Sequence, residues 1–355
     1  MNNKEPKIGK TLREDWKNTH LKSSFKKDYG AAEEFFFTDY ERTRLKQMSS
    51  FNRLFYRLAW LLKKLYLKLT PFRRILLIIG TVLILASRNE NENNLGILGG
   101  FILVFLILVE LKDKLIAKTE LEEGQAIQMS LMPERVPDIP GWEVWLYTSP
   151  ANDVGGDLVD FQKLEKNSYG ISLGDISGKG LSAALLMAKL QASIRALVSE
   201  YSQINIMVEK INAIFYNDTP KNSFASLIYF KISSDSRRVR YVNAGHLPPI
   251  IVKPNSLDEL QKGLPALGLM KEFQYKEESL NLDRNDILIS FSDGLTEAEN
   301  INGEFYGKKR TLELFAKQRG KTVSNIGENI LSDVKNFIGE ATTHDDISIV
   351  VLRKI

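Results

Sequence analysis

The stretch Val154-Gly155-Gly156-Asp157, together with the later Gly174-Asp175-Ile176-Ser177-Gly178-Lys179-Gly180, decides the fold of the region around it. The segment between them predicts two strands, at 158–164 and 169–173, joined by a tight turn. Because Asp157 and Asp175 lie symmetrically about Lys166 in that turn, folding the hairpin brings both carboxylates to its open end. The neighbouring glycines permit close backbone approach and positive φ.

Two carboxylates held together repel each other unless a cation neutralises them. Oxygen ligands of this kind suit Mg²⁺ or Mn²⁺. A plainer interpretation is that these are two ordinary Gly-Asp turns at the ends of a hairpin. On these residues alone, both interpretations stand.

Composition narrows the choice of chemistry. A chain of 355 residues is long enough for one large domain with accessory segments or for two domains, and its net charge of +4 is too small to indicate a nucleic-acid partner. The chain has no cysteine, which excludes disulfides, thiolate zinc sites and a cysteine nucleophile. Its three histidines (His20, His246 and His344) are too scattered for a histidine-built zinc site. Any metal must therefore be held by carboxylates.

Two apolar segments indicate a membrane region. Residues 75–86 are almost wholly apolar, residues 95–111 are apolar until Glu110, and a polar stretch at 88–94 separates them. We expect a transmembrane helical hairpin at 73–111, although its first segment is shorter than the roughly 20 residues that a span usually needs. Basic residues flank both sides, so the positive-inside rule places both ends in the cytoplasm. The alternative is two buried helices of a soluble domain.

The flanks of this hairpin are helical. We expect residues 1–72 to be a cytoplasmic segment without a cleavable signal peptide. Its basic, aromatic helix at 51–69 would lie on anionic membrane lipid or, alternatively, pack on a protein partner. Residues 112–135 form a connecting helix that either pairs with its copy in a homodimer or packs on the domain behind it. The prediction is a two-helix protein of the inner, cytoplasmic membrane with its catalytic domain in the cytoplasm.

Residues 136–355 have a different pattern. Short strands alternate with helices, and an α+β layered domain with one core is expected. The predicted strands are 143–148, 158–164, 169–173, 225–231, 239–243, 249–253, 286–291 and 347–352. The predicted helices are 181–200, 204–216, 309–318 and 322–338.

Two further aspartates repeat the placement of the first pair. Asp293 follows the strand 286–291, and Asp345 precedes the strand 347–352. If these strands pair antiparallel, Asp293 and Asp345 share an edge. A two-metal cluster held by such carboxylates clamps phosphate oxygens and makes hydroxide from water near neutral pH. That chemistry hydrolyses phosphate esters without a protein nucleophile.

As an ordered set, these motifs resemble the SpoIIE/RsbU branch of the metal-dependent PPM (protein phosphatase 2C-like) serine/threonine phosphatases. The resemblance runs from about residue 120 to the C-terminus and implies an α-β-β-α sandwich, two antiparallel sheets flanked by helices. The motifs are Val154-Gly-Gly-Asp157, Gly174-Asp-Ile-Ser-Gly-Lys-Gly180, Asn243-Ala-Gly-His-Leu-Pro-Pro249, Pro265-Ala-Leu-Gly268, Ser292-Asp-Gly-Leu-Thr-Glu297 and Asp345-Asp-Ile-Ser348.

The resemblance also implies a site. It implies two Mn²⁺ or Mg²⁺ ions bridged by Asp157 and Asp175, with the Ile176 carbonyl helping to hold one of them. Asp293 and Asp345 would complete the site. The implied substrate is phosphoserine or phosphothreonine on a small anti-sigma-factor antagonist of the STAS type.

Departures from the family pattern are modest. Leu158 stands where many relatives have an aromatic residue, and Lys179 where many have histidine. Lys179 would either contact the substrate phosphate or be an exposed lysine of a turn. His246 would either donate to phosphate or support the Pro-rich turn, and the second alternative is favoured. His344 is a candidate acid for the leaving oxygen, and Asp346 a candidate supporting partner of the metal ligands.

Other functions remain to be weighed. A pseudoenzyme that binds its partner and signals by conformation is the alternative from a different class, although no metal aspartate is missing. A nucleotide cyclase is disfavoured, because Leu158-Val159 replaces the Glu-Phe that completes the diguanylate cyclase signature. We also expect that the connecting helix and membrane region bias the position of helix 181–200, and with it the metal site.

Overall fold

The computed structural model describes residues 36–87 and 93–355. The chain divides into two compact units, with the boundary between Leu115 and Ile116. We refer to them as the N-terminal and the C-terminal unit. Predictions that concern residues 1–35, and most of the polar stretch at 88–94, lie outside the described residues.

Helices make up the described part of the N-terminal unit. They are α1 (Asp39–Lys46), α2 (Ser50–Lys68), α3 (Pro71–Ala86) and α4 (Asn93–Leu131), the last of which continues into the C-terminal unit. A capping box begins α1: the Thr38 hydroxyl accepts from the Glu41 N–H, and the Glu41 carboxylate accepts from the Thr38 N–H. Pro71 in the first turn of α3 suits a position whose N–H would have no helical partner.

Helices α3 and α4 pack closely where glycines face each other. A Cβ added to Gly99 would lie 2.6 Å from the Gly80 carbonyl oxygen, and one added to Gly80 would lie 3.2 Å from the Gly99 carbonyl oxygen. At the cytoplasm-facing end of the expected hairpin, the Arg73 guanidinium pairs with Glu110 at 2.7 Å and also with Asp113. The two apolar segments therefore form a helix pair, as a hairpin requires.

The prediction that the chain crosses a membrane is supported only for α4. Among the described residues, one helix, Asn94–Leu131, is long and apolar enough to cross a membrane, and only 11% of its apolar window is buried. Helix α3 has 16 residues, fewer than a span usually needs. The two-span hairpin is thus not confirmed. Helix α4 runs without interruption from the second apolar segment into the expected connecting helix.

The C-terminal unit contains two five-stranded antiparallel sheets with strand orders β1-β10-β9-β6-β7 and β2-β3-β4-β5-β8. The strands are β1 (Trp142–Ser149), β2 (Leu158–Lys163), β3 (Ser168–Ile176), β4 (Ala225–Ser233), β5 (Arg238–Ala244), β6 (Ile250–Val252), β7 (Leu257–Glu259), β8 (Glu278–Asn281), β9 (Ile287–Phe291) and β10 (Ile347–Lys354). The helices are α5 (Leu181–Leu197), α6 (Ile204–Asp218), α7 (Asp293–Thr296), α8 (Gly307–Ala316) and α9 (Val323–Ile338).

Three buried clusters show the order of the layers. The first lies between the two sheets, the second between the β1-containing sheet and helices α8 and α9, and the third between the β2-containing sheet and helices α5 and α6. Strand β10 contributes to two of these clusters, because successive side chains of a strand point to opposite faces of the sheet. Val350 belongs to the first cluster, whereas Ile349 and Val351 belong to the second. The α-β-β-α sandwich expected from the sequence is confirmed.

Two short strands were not expected from the sequence, β7 and β8. Both lie at the outer edge of their sheet and contain charged residues, and β8 buries only every second side chain partly. Edge strands of this kind give a weak hydrophobic signal, because half of their surface stays in water.

Candidate active site

The first carboxylate pair lies at the open end of the β2–β3 hairpin, as the sequence predicted. Leu158 is paired with Gly174 in the antiparallel register, which places Asp157 beside Asp175. At the other end, Lys166 and Asn167 have φ values of 55° and 53°. Two successive positive φ values are typical of the tight turns whose twist matches that of paired strands.

The second pair forms on the other sheet. Strands β9 and β10 pair antiparallel with Phe291 opposite Ile349, so the end of one lies beside the start of the other. Asp293 opens α7 directly after β9. The Ser292 hydroxyl donates to the Asp346 carbonyl at 3.1 Å and accepts from the Ser348 N–H at 2.9 Å. This edge therefore brings the residues around Asp293 and Asp345 together, as predicted.

Asp346 joins the two sheets. Its Oδ2 accepts from the N–H groups of Gly156 at 2.6 Å and Asp157 at 3.2 Å, and its Oδ1 accepts from the Ala151 N–H at 2.8 Å. Asp346 directly precedes β10, whereas the loop that it holds directly precedes β2 of the other sheet. One buried carboxylate thus fixes the backbone that carries Asp157, which is the supporting role expected for Asp346.

The two glycines before Asp157 are required by this packing. A Cβ on Gly155 would collide with the Asp346 carboxylate. A Cβ on Gly156 would lie 3.2 Å from the Ile176 carbonyl oxygen and 3.1 Å from the Ala183 Cβ. The Ile176 carbonyl therefore faces the Gly-Gly-Asp turn, where the resemblance to the family places a metal.

Burial and mutual repulsion raise the pKa of the first pair. Burial raises the pKa of Asp157 well above its usual value, and the charge of Asp175 adds to this, while the Ser348 hydroxyl partly opposes it. The pKa of Asp175 rises to about 7, first because of burial and then because of the charges of Asp293 and Asp345. The four carboxylates thus act on one another across the two sheets.

Asp293 shows the same pattern. Burial raises its pKa, and the charges of Asp345 and Glu297 raise it further. A bound cation would relieve the raised pKa values of Asp157, Asp175 and Asp293. The electrostatics therefore mark this end of the sandwich as a site for positive charge.

The donor set suits a divalent metal ion. The Oδ2 atom of Asp157 is buried and has no hydrogen-bond partner among the described residues, which is costly unless a ligand satisfies it. All the predicted ligands are oxygen atoms, the type that Mg²⁺ and Mn²⁺ prefer. Within the described parts of the chain, however, no three metal-ligating side chains are already gathered as one cage. Metal binding would have to draw the carboxylates closer together.

Lys179 and His246 lie in contrasting surroundings. The exposed Lys179 ammonium donates to the His344 carbonyl at 2.6 Å and lies 3.5 Å from Asp345 Oδ2, so it ties the turn after Asp175 to the loop before β10. His246 is buried, with its Nδ1 2.9 Å from the Ser226 hydroxyl. Burial lowers the pKa of His246 to about 4. A neutral, enclosed imidazole fits the structural role better than phosphate binding.

A residue that the sequence analysis did not single out also contacts the site. The Gln128 side chain, near the end of α4, donates to the Gly155 carbonyl at 2.7 Å and accepts from the Gly155 N–H at 3.1 Å. The Leu131 carbonyl accepts from Gln191 and Arg195 of α5. The end of the connecting helix therefore packs on the following domain, one of the two expected alternatives. The signal for Gln128 in the sequence was that a polar residue stands beside the apolar Ile127 and Leu131 on a predicted helix.

Comparison with known proteins gives one family. A family model described as Stage II sporulation protein E (SpoIIE) matches residues 165–354, more than half of the chain. Protein IcfG of Synechocystis sp. (strain ATCC 27184 / PCC 6803 / Kazusa) is 27% identical over 301 residues, which cover 75% of this chain and 47% of IcfG. Phosphoserine phosphatase RsbU of Bacillus subtilis (strain 168) is 27% identical over 240 residues, 67% of this chain and 70% of RsbU. The chain thus spans about half of IcfG.

A solved structure shares the fold. The SiaA-PP2C domain of Pseudomonas aeruginosa superimposes with a TM-score of 0.60 and 17% identity, covering 69% of this chain and 99% of that domain. At this identity the likeness concerns the fold alone. It agrees with the two-sheet sandwich described above.

Proposed function

The chain belongs to the SpoIIE family, and from that premise we propose that it is a metal-dependent protein phosphatase that hydrolyses phosphoserine or phosphothreonine. The observation that carries the proposal is the buried, unpartnered Oδ2 of Asp157 beside the raised pKa of Asp175. The resemblance seen in the sequence is confirmed at the level of family. The match of the family model covers Asp175, Asp293 and Asp345, whereas Asp157 lies just before it.

Each residue of the proposed site has a part. Asp157 and Asp175 would bridge two Mn²⁺ or Mg²⁺ ions, the Ile176 carbonyl would assist, and Asp293 and Asp345 would complete the ligand set. When bound, such ions polarise a phosphate ester and acidify water. The Asp346 carboxylate accepts hydrogen bonds from three backbone N–H groups and so fixes the backbone around Asp157.

The proposed substrate is a phosphorylated anti-sigma-factor antagonist of the STAS type. Support comes from family membership and from the similarity to RsbU, whose name describes a phosphoserine phosphatase. The mouth of the site favours a protein over a small molecule, because exposed apolar side chains, Leu181 and Leu185, lie on the first turns of α5 directly after the metal motif.

We further propose that the protein is tethered to the inner, cytoplasmic membrane by both α3 and α4, with the phosphatase domain in the cytoplasm. The close approach at Gly80 and Gly99 is typical of helices that pack inside a bilayer. Exposed apolar side chains such as Phe101 and Phe105 suit lipid contact. Helix α2 has no acidic residue in its first turn and carries arginines and then lysines along its length, so it would lie on anionic lipid.

The connecting helix is the proposed place for a homodimer contact and for regulation. Ile116 and Ile127 of α4 are exposed in the C-terminal unit and would pair with their copies in a dimer. Movement of α4 would reach the Gly-Gly-Asp turn through Gln128 and would reach α5 through the Leu131 carbonyl.

One observation favours a second function. No preformed cage of three metal-ligating side chains exists among the described residues, which suits a pseudoenzyme that binds a partner without hydrolysis. The two functions make opposite predictions for phosphate release.

Phosphate release from a phosphorylated antagonist protein, with Mn²⁺ present, tests the proposal. The wild-type protein should release phosphate, Asp175→Asn should not, and Asp235→Asn, a change in an exposed turn, should behave like wild type. Equal release by wild type and Asp175→Asn would refute the proposal. Tight binding of the phosphoprotein without hydrolysis would favour the pseudoenzyme.

A further inference from the structure

A cavity of about 520 Å³ lies at the end of the β2–β3 hairpin opposite the aspartates. Its walls are the tight turn of the hairpin, the last turn of α5 and the loop that leads to α6. Small-molecule sites in proteins commonly have volumes of about 300–1,000 Å³. The cavity is therefore large enough for a small metabolite, and the proposed phosphatase reaction does not use it.

Basic side chains outnumber acidic ones in its lining. Lys163 and Lys166 come from the hairpin and Lys231 comes from β4, and Ser168, Ser199 and Ser202 also line the cavity. The acidic lining residues are Glu165 and Glu200, both exposed at the surface. Lysine ammonium groups are compact charges that bind phosphate well. The chemistry of the lining is thus that of an anion site.

Arg195 also lines the cavity, but its charge is already neutralised by an ion pair with Asp160. Its guanidinium donates to both carboxylate oxygens of the fully buried Asp160, at 2.7 and 2.9 Å. It also donates to the Leu131 carbonyl at 3.2 Å. Arg195 therefore forms a fixed wall of the cavity, whereas the three lysines remain to bind a ligand.

Lys231 is the unusual member of the set. It follows the core residue Phe230 on β4 and, by strand alternation, leaves the sheet on the same face as Tyr229, which packs beneath the helices. Among the described residues, none accepts a hydrogen bond from its ammonium or pairs with it within 4.0 Å. The carboxylate of Glu277 is taken by Arg240, which contacts its two oxygens at 2.5 and 2.7 Å.

The pKa of Lys231 is lowered, as expected for a cation in unfavourable surroundings. Burial lowers it, and the charge of Arg240 lowers it further, while Glu277 opposes the change. A partly buried cation without a partner is unfavourable unless something else pairs with it. An anion in the cavity would supply that partner.

We propose that this cavity binds a small phosphorylated metabolite, with Lys231 as the central contact and Lys163 and Lys166 at the rim. The Ser168, Ser199 and Ser202 hydroxyls would donate to further phosphate oxygens. The site is separate from the carboxylate cluster, since it lies at the opposite end of the same hairpin. It would take its ligand whether or not metal is present.

Pyrophosphate is a suitable probe, used with the 355-residue chain in EDTA so that the carboxylate cluster holds no metal. Calorimetric titration at constant ionic strength would compare wild type with Lys231→Met, Lys163→Met and the matched control Lys335→Met, an exposed lysine of α9. We expect saturable binding by wild type and Lys335→Met, at least a tenfold weaker Kd for Lys231→Met, and a smaller loss for Lys163→Met. Lys231→Met should fold, because it removes an unpaired, partly buried charge.

The proposal fails if wild type shows no saturable binding of pyrophosphate at millimolar concentration. It also fails if Lys231→Met and Lys163→Met bind as tightly as Lys335→Met, because binding would then be spread over the basic surface. Loss in Lys163→Met alone, with Lys231→Met unchanged, would overturn the central role of Lys231.

Discussion

The two ends of the β2–β3 hairpin have opposite charges. Its open end carries Asp157 and Asp175, and the charges of two carboxylates of the other sheet act on Asp175. Its closed end carries Lys163 and Lys166, two of the three lysines that line the 520 Å³ cavity. Helix α5 begins next to the acidic turn and carries Arg195 in its last turn, near the basic cavity. One hairpin therefore presents the proposed cation site at one end and the proposed anion site at the other.

The difference between the ends lies in burial. At the acidic end, Asp157 is almost fully buried and neighbouring carboxylates raise each other's pKa. At the basic end, Lys163 and Lys166 are exposed and only Lys231 is partly buried. Charges interact more strongly where water is excluded. Changes at the acidic end should therefore have the larger effects.

The largest effect is expected from Asp175→Asn. Because Asp175 is a proposed metal ligand, its loss should lower phosphatase activity by about 10³-fold, roughly 4 kcal/mol in the barrier. The measurement is kcat/KM for a phosphorylated protein with Mn²⁺, with Asp235→Asn as control. A loss smaller than tenfold would show that Asp175 does not hold the catalytic metal.

The acidic end should also make the metal-free protein less stable as pH rises. The folded-state pKa of Asp175 is about 7, above its usual value of 3.8, so the folded protein holds this proton more tightly than the unfolded chain. Its contribution is fully present below pH 3.8 and is lost as pH rises towards 7, at no more than about 1.4 kcal/mol per pH unit. Urea unfolding in EDTA between pH 5 and 8 measures it.

The matched control for that experiment is Asp175→Asn, which has no carboxyl group to titrate at this position. Its unfolding midpoint should fall less between pH 5 and 8 than that of wild type. Parallel pH profiles for the two proteins would contradict the assigned burial and repulsion of Asp175.

Asp346→Asn tests the link between the sheets. One amide oxygen cannot replace both carboxylate oxygens, which together accept from three N–H groups. Losing such a supporting partner typically lowers metal affinity or activity about 10–100-fold. Mn²⁺ dependence of the phosphatase rate would show a higher half-saturating concentration. Unchanged Mn²⁺ dependence would mean that the loop before β2 holds its position without Asp346.

Arg195→Met probes the basic end. Removing one partner of a buried ion pair costs about 3–5 kcal/mol, but the Arg195 side chain is 44% exposed, so we expect about 1–3 kcal/mol. Urea unfolding measures the free energy of unfolding. The double variant with Asp160→Asn should recover part of the loss, and additive losses would show that the pair contributes nothing.

The smallest effect is expected from Gln128→Ala. It removes two hydrogen bonds to Gly155, together worth about 1–3 kcal/mol, and should lower phosphatase activity by less than about tenfold. Gln125→Ala, on the same helix with a half-buried side chain, is the control. If Gln128→Ala and Gln125→Ala have equal activity, α4 does not act on the site through this contact.

Sequence alone predicted the acidic end far better than the basic end. Asp157, Asp175 and Asp293 each stand beside glycine or serine near a strand end, and Asp345 stands two residues before a strand. The antiparallel pairing expected from the strands was sufficient to place each pair at one sheet edge. The strands and helices by themselves indicated an α+β layered domain, and the family resemblance implied the α-β-β-α order of its layers. Local pattern and short-range pairing carry this information.

The remaining features depend on contacts between residues far apart in the chain. The hydrogen bonds from Gln128 to Gly155 and from Gly156 to Asp346 join segments that have no common pattern. Lys163, Lys166 and Lys231 looked like ordinary surface lysines, and only the fold places them around one cavity. The membrane hairpin was expected from hydropathy, yet α3 is too short for a span by the usual length rule.

The central claim is that the four aspartates hold divalent metal, and calorimetric titration of Mn²⁺ into the metal-free protein tests it most directly. We expect saturable uptake by wild type, at least tenfold weaker binding by Asp175→Asn, and wild-type binding by Asp235→Asn. Absence of saturable uptake by wild type, or equal affinity in wild type and Asp175→Asn, would contradict the claim.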